Sequence, residues 1–76
     1  MENKTIERLL QESGINYQSE WVCDSQRLKI GNKAIRNIHP KEINVQYGNS
    51  CASLPKADTS LRWLKWWINS YVKEQA

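Results

Sequence analysis

Few side chains in this sequence are able to make or break bonds. His39 is the only histidine, and the two cysteines, Cys23 and Cys51, stand far from it and from each other. Ser-His-Asp and Cys-His sites assemble in space, so spacing by itself does not exclude one. A chain of 76 residues still has little room for a cleft. His39 directly precedes Pro40, which reads as a surface turn. Cys, His and carboxylates do not cluster at metal-ligand spacing, so neither a metal nor a cofactor is expected. The three glycines are scattered, which leaves no phosphate-cradling loop. The reading is a protein that is not an enzyme. Stapled secreted mini-proteins carry two to four bridges. With only two cysteines here, a single bridge is open but two buried free thiols is the simpler expectation.

Residues suited to contact are more conspicuous. The net charge is +3 and the pI about 9.0, and the positive charge is concentrated in the middle third. From Ser25 to Lys41 the chain carries Arg27, Lys29, Lys33, Arg36 and Lys41 with no acid, whereas the first 24 residues are net acidic. Mild basicity is weak evidence for a nucleic-acid partner, and signatures of helix-turn-helix, zinc-finger, RRM and KH modules are missing. There are four tryptophans, three of them within Trp63–Trp67.

These residues need elements to position them. Hydrophobic residues make up 39% and charged residues 25%, the balance of a folded chain rather than a disordered one. The expectation is a single small α+β domain over residues 1–76. Apolar runs reach only two or three residues, and the N-terminus lacks a basic region followed by an apolar core. No membrane span or secretory signal is read, and the expected location is the cytoplasm. Ile6, Leu9 and Leu10 predict a short helix over Lys4–Ser13, capped by Asn3 or Thr5 and ended by Gly14. Tyr17, Trp21 and Cys23 alternate approximately with polar residues, and Asp24–Ser25 reads as a turn. Gly31–Asn32 is a two-residue hairpin signal between Arg27–Ile30 and Lys33–Ile38. After a turn at His39–Glu42, Ile43, Val45 and Tyr47 give the cleanest strand, followed by a turn at Gly48–Ser50 and a short strand at Cys51–Leu54. Asp58 stands at the N-cap position of a C-terminal helix running to Lys73. The predicted architecture is an N-terminal helix, an antiparallel β meander of three to five strands, and a C-terminal amphipathic helix packed on one sheet face.

Pairing the hairpin across Gly31–Asn32 sets Ile30 opposite Lys33, Lys29 opposite Ala34 and Leu28 opposite Ile35. Leu28, Ile30, Ile35, Ile43, Val45 and Tyr47 would then face the core. Arg27, Lys29, Arg36, Asn44 and Gln46 would form a basic, amide-rich outer face. That face suits phosphates or an acidic protein, although the aromatic residues with which sheet-based RNA readers stack bases are missing from it. On the last helix Leu61, Trp63, Leu64, Trp67, Ile68, Tyr71 and Val72 share an apolar arc. Trp66 falls outside it, among Arg62, Asn69 and Lys73. An exposed Trp beside Arg is the composition of a protein-binding hot spot. The same amphipathic helix could lie in a membrane interface, but the chain needs its apolar face for the core.

The candidate partner-binding residues are therefore Trp66, Arg62 and Lys73 on the helix and Arg27, Lys29 and Arg36 on the sheet. The expected function is that of a non-enzymatic binding protein. It would inhibit or regulate a larger macromolecular complex by contact with an acidic protein surface, in the manner of phage or mobile-element inhibitors of host or defence nucleic-acid-handling complexes. The alternative is direct DNA or RNA binding through the basic sheet face. An open edge strand and an exposed Trp66 would also permit a homodimer.

Overall fold

The computed structural model describes residues 1–31, 34–47 and 49–73, with the side chain of Ala34 left aside. The chain runs through α1 (Asn3–Glu12), five strands, a short 3-10 turn (Asp58–Ser60) and the C-terminal helix. The strands are β1 (Gln18–Val22), β2 (Ser25–Ile30), β3 (Ala34–Ile38), β4 (Glu42–Tyr47) and β5 (Ser50–Pro55). They form one antiparallel meander in the order β1-β2-β3-β4-β5. The C-terminal helix is α-helical over Leu61–Trp67 (α2) and widens to a π-helical turn over Ile68–Val72. The α+β meander with terminal helices is thus the fold, at the upper end of the expected strand count.

Local sequence accounts for most of these elements. In α1, Ile6 and Leu10 lie one turn apart and are both fully buried. Gly14 adopts φ +71 and lets the chain turn back. Its N–H bonds to the carbonyl of Gln11 (3.1 Å), and that of Ile15 bonds to the carbonyl of Leu10 (3.0 Å). This is the paired 5→2 and 6→1 closure of a Schellman end, with buried Ile15 supplying its apolar contact. The expected caps do not act: Glu2 is the N-cap, with no side-chain bond, and Asn3 already belongs to the helix. Asp58 likewise makes no cap bond. Instead Ser60 donates its hydroxyl to the Pro55 carbonyl at 2.7 Å.

The core lies between the two helical segments and one face of the sheet. Leu28 and Ile30 from β2, Ile38 from β3, and Ile43 and Val45 from β4 meet Ile6 and Leu10 of α1. Leu64, Trp67, Ile68 and Val72 of the C-terminal helix complete it. Burial contributes roughly 1.5–3 kcal/mol per such side chain.

Two expectations about the sheet are corrected. The register places Ile30 opposite Ala34, Lys29 opposite Ile35 and Leu28 opposite Arg36. The connection is therefore three residues long, Gly31 to Lys33, of which Asn32 and Lys33 lie outside the described residues. One extra residue reverses the faces of the whole following strand, because side chains alternate with period two. Ile35 consequently moves to the outer face, and Arg36 turns inward with Ile38. Secondly, the first hairpin turns at Cys23–Asp24, so that Val22 faces Ser25, and every residue of β1 is exposed. Trp21 lies on the helix-bearing side of the sheet yet is 61% exposed, because β1 is an edge strand beyond the cover of the helices. The turn expected at Gly48–Ser50 joins Tyr47 to its partner Ser50, with Gly48 outside the described residues.

Candidate functional site

The six residues expected to bind a partner do not form one site. Arg62, Trp66 and Lys73 are exposed on the C-terminal helix. Arg27 and Lys29 are exposed on the sheet face that points away from the helices. Arg36 belongs to neither surface.

On the helix, Trp66 is 50% exposed and rests against Trp63, with ring centroids 5.3 Å apart. Trp63 in turn packs edge-on against Tyr47 of β4 at 6.0 Å, and Tyr47 meets Tyr71 at 6.4 Å. The exposed indole is thus the outermost ring of a row anchored in the sheet. Arg62 sits one turn before it and Asn69 and Ser70 one turn after, all exposed. Between Leu61 and Lys73 the sequence has three cations, Arg62, Lys65 and Lys73, and no acid.

The outer sheet face is less basic than expected. Arg27 faces Glu20 of β1 at 3.8 Å, both side chains about half exposed, an arrangement worth little in solvent. Glu42 on β4 accepts a hydrogen bond from Ser53 at 3.0 Å on the same face. Between these acids lies a shallow depression of about 290 Å³, bordered by Arg27, Lys29, Ile35, Asn37, Asn44 and Gln46, with no acid among the described residues of its lining. Cys51 also borders it, and Cys23 lies at the tip of the first hairpin. Both thiols are free and exposed, which corrects the expectation that they are buried.

Arg36 is fully buried. Its guanidinium carbon lies 4.2 Å from the centre of the Trp67 ring. Nε, Nη1 and Nη2 have no hydrogen-bond partner among the described residues. Burial pulls its pKa well below the ordinary guanidinium range, to about 9, so it remains a cation at neutral pH. The expectation that Arg36 meets a partner on the outer face is therefore corrected by the three-residue loop.

Sequence reasoning also missed residues that the fold brings together. Ser25 Oγ lies 2.7 Å from His39 Nδ1, joining the start of β2 to the β3–β4 turn. Buried Gln26 donates to Ser19 Oγ (2.8 Å) and accepts from Asn3 Nδ2 (2.9 Å). Tyr17 donates its hydroxyl to Glu7 (3.1 Å) and receives a bond from Gln11 (3.0 Å). Burial raises its pKa; the Gln11 bond opposes that rise and Glu7 adds to it. The one local hint was at β1, where Val22 beside Trp21 breaks the alternation that a half-covered strand would keep. Among the described residues no three His, Cys, Asp or Glu side chains group as metal ligands, and no helix is long and apolar enough to cross a membrane.

No protein-family model matches the chain, and no curated protein or solved structure shows a match to it.

Proposed function

We propose that the chain is a non-enzymatic contact protein that docks the exposed side of its C-terminal helix on an acidic patch of a larger macromolecular complex and so inhibits or regulates it. The observation that carries this reading is Trp66, half exposed on a helix and backed by Trp63. An indole already held in place loses little freedom on docking, which is the usual physical basis of a hot spot. Arg62, Lys65 and Lys73 supply a like-signed surround that speeds encounter with an acidic partner. A cytoplasmic setting, and the role of a phage- or mobile-element-type inhibitor of a host or defence nucleic-acid-handling complex, belong to the same proposal.

The test is a comparison of wild type with Trp66→Ala in affinity capture from cell lysate, with unfolding midpoints measured in parallel. A specific acidic protein held by wild type and lost by Trp66→Ala, at an unchanged midpoint, is the expected result. Capture that is indifferent to Trp66 removes the helix face from consideration.

Direct nucleic-acid binding is the second reading, favoured by the depression that Arg27 and Lys29 border. With Arg36 buried, this face offers about two phosphate contacts. Two contacts predict that affinity falls only about tenfold between ~50 and ~200 mM salt. A gel shift of that salt dependence, abolished by Arg27→Ala/Lys29→Ala, would favour this reading over the first.

A further inference from the structure

The edge strand β1 has the properties of a self-pairing surface. It is terminal in the sheet, and every residue from Gln18 to Val22 is exposed. Trp21 and Val22 are 61% and 47% exposed, on opposite faces of the strand. Natural edge strands are guarded by lysine, proline or a bulge. β1 contains no lysine or proline, its one charge, Glu20, faces Arg27 of β2 at 3.8 Å, and its five residues pair with β2 in unbroken register. The opposite edge, β5, ends in Pro55, a residue suited to a protected edge.

We propose that β1 pairs antiparallel with β1 of a second copy of this chain, about a two-fold axis that passes through Ser19. Period-two alternation allows only two-fold axes centred on a residue, and the sequence separates the choices. An axis at Glu20 sets Glu20 against its own mate, a like-charge clash. An axis at Trp21 sets Glu20 against the mate's Val22, a charge against an apolar side chain, and an axis at Gln18 or Val22 pairs a single residue of β1. Within β1 the Ser19 axis pairs Gln18 through Glu20. It sets Gln18 against the mate's Glu20, a donor against an acceptor. It also brings Trp21 toward the mate's Tyr17, which directly precedes β1, at both ends of the seam. The strand therefore supplies both halves of its own complement, and this selects a second copy as the occupant. The result is a continuous ten-stranded sheet, five strands from each copy. A two-fold axis perpendicular to the sheet keeps both helical layers on one side. If the helix face docks as proposed above, the dimer presents Trp66 twice in the same direction, which raises avidity.

Two measurements test the pairing. Sedimentation of wild type over a dilution series should show a mass rising from 8.9 kDa toward twice that value. Trp21→Lys should weaken association at least about tenfold, and Trp66→Ala should leave it unchanged. The register is read by disulfide trapping in a Cys23→Ser/Cys51→Ser background. Ser19→Cys places two thiols directly across the axis, at roughly 4.5–5.5 Å between Cα atoms, and should cross-link on oxidation. Gln18→Cys places them on a diagonal of about 7–8 Å, beyond easy bridging, and should not. A wild type that stays at 8.9 kDa throughout, a dimer lost in Trp66→Ala, or equal cross-linking at positions 18 and 19 would each overturn the proposal.

Discussion

Gln26 and Arg36 are both polar, both buried and both on the helix-bearing face of the sheet, yet they are accommodated in opposite ways. Gln26 joins α1 to β1 through bonds to Asn3 and Ser19. Arg36 has only the face of Trp67, and its three nitrogens go unpartnered among the described residues. A satisfied buried amide costs little and fixes the relative position of the elements it joins. An unpaired buried cation costs several kcal/mol, of which a cation–π contact returns about 2. A chain of this length holds ~3–5 kcal/mol of net stability from its core. The fold is therefore tightened at the α1–β1 end and strained beneath the C-terminal helix.

The largest expected effect comes from removing what holds Arg36. Trp67→Ala deletes a fully buried indole and the only ring over the guanidinium among the described residues. The cavity alone costs about 3–5 kcal/mol, comparable to the whole stability, so the variant should be largely unfolded by circular dichroism at 25 °C. A Trp67→Ala chain that still melts cooperatively near the wild-type midpoint would show that the helix is not what encloses Arg36.

Arg36→Met should act in the opposite direction. Methionine keeps much of the volume and brings no charge, and replacing buried charge by a well-packed apolar side chain is often stabilising, by about 1–4 kcal/mol. Denaturant unfolding of the two proteins measures it directly. A loss of stability in the methionine variant would mean that the guanidinium is better satisfied than its geometry indicates, and the contrast with Gln26 would fall.

How far these features were legible in the sequence depends on how local their cause is. Ile6 and Leu10, Ile43 and Val45, and Leu64, Trp67 and Val72 sit at helical or strand spacing, so the periodicity of the chain predicts their burial. The face of β3 depends instead on whether two or three residues separate it from β2. Gly31–Asn32 looks like a complete two-residue turn, and no residue within β3 signals the third. Arginine on an alternating strand next to Ile35 reads naturally as the outward residue. The exposure of Trp21 has another cause. Alternation tells which side of a strand a residue is on, and only the tertiary arrangement tells whether that side is covered. Of the candidate site, the exposure of Trp66 was readable because helix geometry fixes its direction relative to Leu64 and Trp67.

At the tightened end, Asn3→Ala should destabilise by about 1–3 kcal/mol, because it leaves the buried Gln26 oxygen without its donor. Gln26→Leu removes the buried amide itself, and its cost should be smaller. The pair sharpens the comparison: if the two variants are equally destabilised in urea, Gln26 contributes packing rather than a satisfied network.

The smallest effect is a change of stability with pH. With its folded pKa lowered to about 9, well below the ordinary guanidinium value, Arg36 holds fewer protons in the native than in the unfolded state between the two. Stability then increases with pH there, since the unfolded state must keep a proton that the native state has released. Below about 9 the cost of the buried charge is fully present. From pH 9 to 10 its relief should amount to about 1 kcal/mol. Tyr17 acts in the opposite sense, because its raised folded pKa removes stability as pH climbs past its ordinary value of 10. The useful quantity is accordingly the difference between wild type and Arg36→Met, in which Tyr17 and every other shared group cancel. That difference should be greatest near neutrality and shrink steadily above pH 9. A gap that stays constant to pH 11 would mean that the guanidinium keeps its proton inside the fold. Trp67 would then be stabilising a full cation at every pH, and the strain beneath the helix would be permanent rather than titratable.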